Sequence, residues 1–303
     1  MKNNKLAITI GIPAYNEEKN IELIINDILS QNDINYKLIK TIVVSDKSTD
    51  NTNNIVKKYQ NKNIDLIVNK FRIGKSGSVK KLIELSKKNF PDVIVILDAD
   101  LRLKNTTVIK KLIEPFLGDE RLMVTSGNLV PDSPKTFVEK ISSFNIQLTN
   151  DILKNSLRNV DYYLSSDQIM AFKADYMSAK DLDKQFMHDE FYFLLTKKKK
   201  LNFVYVEDAK AYYKLPKKIK DYVNQMVRFL RSPSSSEKNF GKKFIKQYAA
   251  ITLKDKINSF IHVGMRNPIL AFFYIVIQLY SKMIFSLSKK NNEAIWSPIA
   301  STK

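Results

Sequence analysis

Two hydrophobic patterns alternate along roughly the first 120 residues of the chain. Short runs dominated by apolar residues alternate with segments in which apolar residues recur every three or four positions. The runs are typical of buried strands, and the recurring positions are typical of helices with one buried face. The order indicates βαβ units with a mostly parallel sheet flanked by helices. The patterns predict strands over residues 6–13, 38–45, 64–68 and 93–97, and helices over residues 18–30, 53–59, 78–88 and 106–117.

Beyond residue 120 the alternation is less regular. Residues 217–231 form a basic amphipathic segment, and residues 232–236, Ser-Pro-Ser-Ser-Ser, are typical of a turn or linker. We therefore predict an α/β domain over residues 1–215 and a helical region over residues 216–303. The patterns predict strands over residues 122–126, 162–172 and 203–206, and helices over residues 137–157, 190–200 and 217–231.

The most apolar segment of the chain covers residues 269–287. As a helix, a segment of this length would extend about 28 Å, which is close to the thickness of a bilayer core. Gln278 and Lys282 interrupt it four positions apart and predict a polar stripe on one side. Three interpretations are open: a transmembrane helix, an amphipathic helix in the membrane interface, or a helix packed within the protein or a dimer. Hydropathy favours the two membrane interpretations.

The charge balance narrows the range of partners. The 303 residues include 50 lysines and arginines against 31 aspartates and glutamates, a net charge of +19. This charge favours nucleic acid, nucleotide phosphates or an anionic membrane surface. Together with the apolar segment, it predicts a peripheral or singly anchored protein on the cytoplasmic face of the cell membrane, since residues 1–5 do not begin a signal peptide. The absence of cysteine excludes disulfides, thiolate metal sites and cysteine nucleophiles.

The predicted strand over residues 93–97 leads directly into two carboxylates, Asp98 and Asp100. Ligands of open α/β sheets bind in the crevice at the carboxyl ends of the strands. Carboxylates there need a cation or hydrogen-bond donors, and Mg²⁺ and Mn²⁺ prefer carboxylate and phosphate oxygens. The pair is therefore a candidate metal site. The alternative is that one aspartate caps a helix and the other is solvated.

Polar clusters also follow the three earlier strands, at residues 13–17 (Pro-Ala-Tyr-Asn-Glu), 46–50 (Asp-Lys-Ser-Thr-Asp) and 72–75 (Arg-Ile-Gly-Lys). In a parallel sheet these clusters meet at one edge. Together they supply an aromatic ring, carboxylates for a base or a ribose, and a lysine for phosphate. This set suits a nucleotide diphosphate with its cation. Each cluster taken alone is also explained by ordinary turn and cap residues.

In this order, the clusters resemble the motifs of the family 2 glycosyltransferases of the GT-A fold, over roughly residues 6–230. That family has Pro-x-Tyr-Asn-Glu after strand one, Asp-Gly-Ser-x-Asp after strand two, Gly-Lys before a helix and Asp-x-Asp after strand four. The resemblance implies a Rossmann-like, mostly parallel mixed sheet, a nucleotide sugar as donor, and Mg²⁺ or Mn²⁺ as cofactor. It assigns the nucleobase to Asp46 and Tyr15, the ribose to Asp98 and the metal to Asp100. The other implied nucleotide-binding residues are Pro13, Glu17 and Lys75.

Two positions depart from the family pattern. Lys47 stands where the family usually has glycine, and lysine adopts a positive φ with difficulty. We therefore expect a different turn there, with the lysine side chain in solvent rather than in contact with a phosphate. Residues 165–168, Ser-Ser-Asp-Gln, lack the glycine of many relatives, so we also expect a different acceptor pocket.

The family's catalytic base is an aspartate in an acidic pair or triplet that opens a helix. Asp189 is the predicted base and Glu190 the second choice, because they precede a predicted helix and the strand over residues 203–206. Such a base would take the proton of an acceptor hydroxyl as its oxygen attacks the anomeric carbon. The alternative is that these acids only stabilise a helix N-terminus. We expect His188 to shape the site rather than to ligate a metal.

Residues 225–229, Gln-Met-Val-Arg-Phe, resemble the Gln-x-x-Arg-Trp signature of membrane-associated members of the family. The resemblance assigns Gln225 and Arg228 to the acceptor or the diphosphate, and an arginine suits phosphate geometry. The alternative is a basic surface on an amphipathic helix. Phe229 in place of tryptophan argues against processive polymer synthesis.

The predicted function is inverting, metal-assisted transfer of a sugar from a UDP- or GDP-sugar to a hydroxyl group or a lipid phosphate. The expected partners are the nucleotide sugar, a sugar or lipid-linked acceptor and a membrane surface, but not nucleic acid. A nucleotidyltransferase would need a glycine-rich, arginine-containing loop after strand one, which residues 13–18 lack. Two alternatives stay open: a basic nucleic-acid-binding protein, supported by the charge alone, and a catalytically degenerate GT-A scaffold.

Overall fold

The computed structural model of the protein describes residues 5–32, 34–155, 166–176, 188–231, 239–249, 252–287 and Thr302. For residues 153–155, 188–190, 231 and 249 it describes the backbone alone. The strands are β1 (Leu6–Ala14), β2 (Tyr36–Ser45), β3 (Ile64–Val68), β4 (Val93–Leu97), β5 (Leu122–Pro131), β6 (Ile169–Lys173) and β7 (Asn202–Tyr213). The helices are α1 (Ile21–Leu29), α2 (Thr52–Lys57), α3 (Gly74–Lys87), α4 (Val108–Ile113), α5 (Phe137–Asn155), α6 (His188–Lys198), α7 (Ile219–Arg231), α8 (Lys242–Ala249), α9 (Leu253–Arg266) and α10 (Pro268–Leu287).

The strands of the described residues form a seven-stranded sheet in the order β3-β2-β1-β4-β6-β5-β7. All of them run in one direction except β6, which is antiparallel to both β4 and β5. The predicted mostly parallel mixed sheet flanked by helices is therefore confirmed. The carboxyl ends of β1 to β4 lie at one edge of the sheet. Because it is antiparallel, β6 begins at that same edge, beside the end of β4.

Two hydrophobic clusters cover the two faces of the sheet. Alternate residues of β1, such as Ile8 and Ile10, lie on the face covered by α1 and α4, together with Val95 of β4. Ile94 and Ile96 belong to the opposite cluster, with side chains of α3 and α6. All residues of β4 are buried, as expected for an uninterrupted apolar run. The end of β4 is therefore held firmly, and so is the start of the segment that follows it.

Some elements differ in length from the prediction, whereas β3 and β4 have the predicted bounds. β7 extends to Tyr213 instead of residue 206, because it continues to pair with β5 after a register shift at Gly127. α3 begins at Gly74 instead of residue 78, because Asp46 accepts hydrogen bonds from the backbone there. Residues 162–165, the start of a predicted strand, and residues 232–236, the predicted linker, lie outside the described residues.

The C-terminal helices pack on α5. Met226 of α7 and Ile277 of α10 share a buried cluster with Ile141 of α5, and α9 contacts the same helix. Gln278 faces α7, with its Nε2 3.3 Å from Met226 Sδ, whereas Lys282 is exposed. The two polar residues of α10 therefore do not form one exposed stripe. The domain boundary at residue 215 stays a prediction.

Candidate functional site

Lysine and aspartate side chains from three segments meet at the end of β4. Lys75, in the first turn of α3, has its Nζ 2.6 Å from Asp98 Oδ2 and 3.1 Å from Asp167 Oδ2. Asp98 follows β4 directly and Asp167 precedes β6. The side chains of Lys75, Asp98 and Asp167 remain 24%, 17% and 21% exposed, so the cluster is partly buried yet reachable from solvent.

Asp167 was not among the predicted site residues. Its position follows from the pairing of β6 with β4, because the Asp98 N–H donates to the Gln168 carbonyl oxygen at 2.9 Å. The buried Ser126 hydroxyl fixes the preceding residue, since it accepts from the Ser166 N–H at 2.8 Å and donates to the Ser166 carbonyl oxygen. The signal available in the sequence was an acidic residue two positions before the strand that pairs with β4.

The cluster shifts the pKa of its members. Burial raises the pKa of Asp98 to about 7; Lys75 opposes this rise, and the charges of Asp167 and Asp100 add to it. Burial alone would lower the pKa of Lys75, but attraction by Asp167 and Asp98 outweighs it, so the pKa is raised. Lys75 is therefore a permanently charged ammonium group held between two carboxylates.

Arg228, in the last turn of α7, interacts electrostatically with the same carboxylates. Burial lowers the pKa of its guanidinium group, and attraction by Asp167, Asp98 and Asp100 works in the opposite direction. Gln225 precedes it by almost one turn, and its Oε1 is buried without a hydrogen bond to another described residue. The structure thus brings Arg228 together with the predicted site residues at the end of β4.

Asp46 organises the loop that leads into α3. Its Oδ1 accepts hydrogen bonds from the Asn69 side-chain amide at 3.1 Å and from the Ile73 N–H at 2.8 Å, and its Oδ2 accepts one from the Gly74 N–H at 2.9 Å. Gly74 has φ +77°, a conformation that favours glycine. These contacts fix the start of α3 and therefore the position of Lys75, the next residue.

Tyr15 lies against Arg72 beside this loop. The Arg72 guanidinium carbon is 3.5 Å from the centroid of the Tyr15 ring, and Arg72 Nε is 3.6 Å from Asp46 Oδ2. An aromatic ring and a guanidinium plane in contact form a stacking surface. Arg72 was not among the predicted site residues, although it belongs to the polar cluster after β3.

Pro13 and Glu17 lie on the β1 side of the site. Pro13 is in β1, in register with Val44 of β2. Glu17 is buried; its N–H donates to the Thr52 hydroxyl at 2.8 Å, and its carboxylate accepts from the Asn20 side-chain amide at 2.9 Å. The Glu17 carboxylate thus helps to join β1 to α1, a role that the sequence did not predict.

The turn at Lys47 does not differ in the way that we expected. Lys47 has φ +59°, in the left-handed region that glycine adopts easily, so the expectation that lysine would avoid this conformation is wrong. The Lys47 side chain is exposed, as predicted. Hydrogen bonds of the neighbouring residues hold the turn: the Asn16 N–H donates to Ser48 Oγ, and Ser45 Oγ donates to the same atom.

Asp189 and Glu190 lie in the first turn of α6, directly after His188. Their side chains are outside the described part of the structure, so their assignment as base and second choice stays a prediction. The helix itself is anchored by its buried aromatic residues, among them Phe191 and Tyr192.

The carboxylates at the end of β4 suit a hard cation that shares its coordination with a substrate. Asp100 makes no hydrogen bond or ion pair with another residue in the described ranges, and Asp98 Oδ1 is buried without a hydrogen-bond partner there. No group of three histidines or acids among the described residues forms a complete protein cage for a metal. Mg²⁺ sites commonly use one or two carboxylates together with substrate phosphates.

The sheet and the charged cluster at its carboxyl edge define an α/β protein of the nucleotide-binding type. Residues 9–179, more than half of the chain, match Glycosyl transferase family 2. The protein therefore belongs to this family and is a glycosyltransferase, as the sequence motifs predicted. No protein of curated function matches the sequence significantly.

Solved structures of similar fold are glycosyltransferases. The mannosyltransferase PcManGT from Pyrobaculum calidifontis, in complex with GDP-Man and Mn²⁺, is 17% identical with a TM-score of 0.61, over 95% of this chain and 77% of that one. Mannosyl-3-phosphoglycerate synthase from Rubrobacter xylanophilus is 12% identical with a TM-score of 0.54, over 78% of this chain and 76% of that one. At these identities the likeness shows the fold, and the predicted GT-A architecture is confirmed.

Proposed function

We propose that this protein is an inverting glycosyltransferase that moves a sugar from a UDP- or GDP-sugar to a hydroxyl group or a lipid-carried phosphate. The observation that carries the proposal is the contact of Lys75 with both Asp98 and Asp167 at the end of β4. Lys75 and the nearby Arg228 supply positive charge for a diphosphate, and the aspartates supply acceptors for hydroxyl groups and ligands for a cation.

The nucleoside of the donor would bind beside Tyr15, Arg72 and Asp46. The ring and the guanidinium plane offer a surface on which a base stacks. A carboxylate accepts about four hydrogen bonds, and three chain donors already bond to Asp46, so one position is left for a base N–H. Asp98 would accept hydrogen bonds from the ribose. Pro13 in β1 and Glu17, between β1 and α1, would shape the wall of this pocket.

We assign a divalent cation, Mg²⁺ or Mn²⁺, to Asp100. The absence of a hydrogen bond or ion pair to Asp100 from the described residues supports this assignment, and so does the buried Oδ1 of Asp98 beside it. When bound, the cation supplies Lewis-acid stabilisation of the negative charge on the leaving diphosphate. The Mn²⁺ and GDP-Man complex of the mannosyltransferase with a similar fold is consistent with this assignment.

The identity of the acceptor decides whether a base is needed. A hydroxyl acceptor has to lose its proton during attack, and we assign that proton to Asp189, with Glu190 as the second choice. A phosphate acceptor is already ionised near neutral pH and needs no base. Gln225 and Arg228 would bind the acceptor or the diphosphate. Attack on the side opposite the diphosphate inverts the anomeric carbon. The cytoplasmic face of a membrane stays the predicted location.

The proposal is tested by measuring the thermal stability of the protein with a set of UDP- and GDP-sugars in the presence of Mn²⁺. A donor at about 100 times its Kd stabilises the native state by about 2.7 kcal/mol, enough to raise the melting temperature by several degrees. Nucleoside monophosphates serve as the control. NMR analysis of the product then gives its anomeric configuration. Stabilisation by none of the donors would overturn the proposal, and a product with retained configuration would overturn the inverting mechanism.

A further inference from the structure

The helices α9 and α10 carry large apolar side chains on surfaces that face away from the protein. On α9 these are Leu253, Ile257, Ile261 and Met265, which are at least 50% exposed and, at intervals of four, form one stripe. Monomeric soluble proteins rarely expose continuous apolar surfaces of this extent. The exposed apolar residues of α10 are Ile269, Phe272, Phe273, Ile275, Val276, Leu279, Tyr280, Met283, Phe285 and Leu287.

The inner face of α10 is held to the protein along much of its length. Near its start, the Tyr274 ring contacts Phe144 of α5, with centroids 5.5 Å apart, and at the edge of this face the partly exposed Phe273 contacts Phe137, with centroids 5.0 Å apart. Further along, Ile277 is 4% exposed in the cluster shared with α5 and α7. Among the described residues, α10 is the one helix long and apolar enough to cross a membrane. Crossing would require it to leave α5 and α7.

The helix α9 is fixed in the same way. The His262 Nδ1 lies 2.7 Å from Asp151 Oδ1 of α5, and an Arg266 guanidinium nitrogen lies 2.9 Å from His262 Nε2. Asn267 alone separates α9 from α10, and a Cβ at Gly264 would lie 3.4 Å from that of Ala271, so the two helices meet closely at their junction. The apolar stripes therefore belong to one helix pair that packs on α5.

The charge of this region favours an anionic partner. Residues 216–303 contain sixteen lysines and arginines and four aspartates and glutamates, so they carry twelve of the nineteen net positive charges. α10 contains no acidic residue, and the single acid of α9, Asp255, is engaged in a capping box with Thr252. Lys254, Lys256 and Lys282 are exposed. Two copies joined through this surface would bring these positive charges together, whereas an anionic bilayer complements them.

We infer that α9 and α10 together form a docking surface for an anionic lipid bilayer, with α10 lying flat in the interface instead of spanning the membrane. Apolar side chains would enter the region between headgroups and acyl chains, and lysines would contact the headgroups. This arrangement removes the exposed apolar side chains from water and keeps the contacts of α10 with α5 and α7.

The position of α7 connects this surface with the site. Met226 contacts Gln278 of α10, and Arg228, two residues later, interacts electrostatically with the carboxylates at the end of β4. Arg228 is therefore separated from the inner side of α10 by about the width of α7, roughly 10 Å, and from the outer apolar face of α10 by the width of that helix as well. If the proposed function is correct, on which this consequence rests, a lipid-carried acceptor reaches Arg228 while its acyl chain stays in the bilayer.

Vesicle binding tests the inference. Full-length protein is sedimented with vesicles of phosphatidylcholine alone and of phosphatidylcholine with phosphatidylglycerol. We expect binding to the anionic vesicles, and about tenfold weaker binding of the triple variant Ile269→Asn, Phe272→Asn and Leu279→Asn. The matched control substitutes equally exposed apolar residues elsewhere, Ile34→Asn, Phe90→Asn and Leu117→Asn, and should bind as the parent protein does. Absence of binding to anionic vesicles, or unchanged binding of the first variant, would overturn the inference.

The depth of α10 separates flat docking from spanning. Because the chain has no cysteine, Ile269→Cys, Leu279→Cys and Leu287→Cys can each be labelled alone with a fluorophore. Flat docking predicts similar quenching of all three labels by lipids brominated at a given depth. A spanning helix would carry the label at residue 279 much deeper than the labels at its two ends, and this result would contradict the inference.

Two further measurements distinguish the other outcomes. If sedimentation velocity shows a dimer that the triple Asn variant dissociates, and vesicles do not bind, the surface is an interface between copies and the inference is wrong. Donor-induced thermal stabilisation is measured on the same variant. Stabilisation equal to that of the parent protein shows that docking and donor binding are separate. Failure of every donor to stabilise the parent would overturn the proposed function and leave the docking result intact.

Discussion

The Nζ of Lys75 lies 2.6 Å from Asp98 Oδ2, so the start of α3 and the end of β4 are joined by an ion pair at the carboxyl edge of the sheet. The same Nζ contacts Asp167, which links both segments to the start of β6. Three segments that are distant in the sequence thus converge on one ammonium group. The proposed donor site is built around this point.

Replacement of Lys75 by methionine should weaken donor binding. The substitution keeps an unbranched side chain and removes the charge proposed to bind the diphosphate. A hydrogen bond to a charged group contributes about 1.5–3 kcal/mol, so we expect Kd to increase roughly 10- to 150-fold. Isothermal titration calorimetry with the best donor and Mn²⁺ measures this. Lys40→Met, which breaks an ion pair with Asp65, is the control. An unchanged Kd for Lys75→Met would remove this lysine from the donor site.

The raised pKa of Asp98 predicts a dependence of stability on pH in metal-free buffer. The folded state retains a proton on Asp98 up to a pKa of about 7, whereas the unfolded chain loses it near pH 4. This contribution to stability is therefore complete below about pH 4 and is lost as the pH rises through about 7. Asp98→Asn cannot lose a proton, so its free energy of unfolding should rise relative to that of the parent protein between these pH values.

Denaturant unfolding in the presence of a chelator measures that difference at each pH. The exposed Asp132, paired with Lys104, provides the control Asp132→Asn. A difference between the parent protein and Asp98→Asn that does not change with pH would contradict the prediction.

Asp46 should contribute to the stability of the folded protein as well as to donor binding. Asp46→Ala leaves the N–H groups of Ile73 and Gly74 without their acceptor, and a lost buried hydrogen bond costs about 1–3 kcal/mol. We expect a loss of about 3 kcal/mol in the free energy of unfolding, measured with urea. Asp65→Ala, which removes an exposed ion pair with Lys40, should cost less than about 1 kcal/mol. Equal effects of the two substitutions would contradict the organising role of Asp46.

The role of Asp189 depends on the acceptor. With a hydroxyl acceptor, Asp189→Asn should reduce kcat by about 10²- to 10⁴-fold and leave donor binding unchanged, because general-base catalysis contributes about that much. With a phosphate acceptor, kcat should be almost unaffected. Glu190→Gln, in the same helical turn, is the matched control. A loss with Glu190→Gln but not with Asp189→Asn would transfer the role of base to Glu190.

The sheet could be predicted from the sequence because its strands are encoded locally. β3 and β4 have the predicted bounds, since each is a short apolar run with clear ends. β7 was predicted too short, because its second half depends on pairing with β5 after a register shift at Gly127. The start of α3 was missed for a related reason, because its backbone donors bond to Asp46, 27 and 28 residues away.

The candidate site was also predicted incompletely, because some of its contacts join residues that are distant in the sequence. Asp98 and Lys75 were found because they stand in short motifs beside predicted elements. Asp167 lies in the segment that we assigned to the acceptor pocket, but its contact with Lys75 was not predicted, because only the antiparallel direction of β6 brings it beside Asp98. At Lys47 the local preference of the residue gave the wrong prediction. Hydrogen bonds of Asn16 and Ser45 with Ser48 hold the turn, and Lys47 adopts a positive φ that lysine alone disfavours.

The central claim is that the carboxylates after β4 bind a donor together with a cation. The most direct measurement is calorimetric titration of the best donor into the parent protein and into Asp100→Asn, each with Mn²⁺ and with a chelator. We predict that the chelator weakens binding to the parent protein at least about tenfold, a loss of about 1.4 kcal/mol. Asp100→Asn should bind weakly in both conditions. Binding by Asp100→Asn with the affinity of the parent protein in Mn²⁺ would contradict the claim.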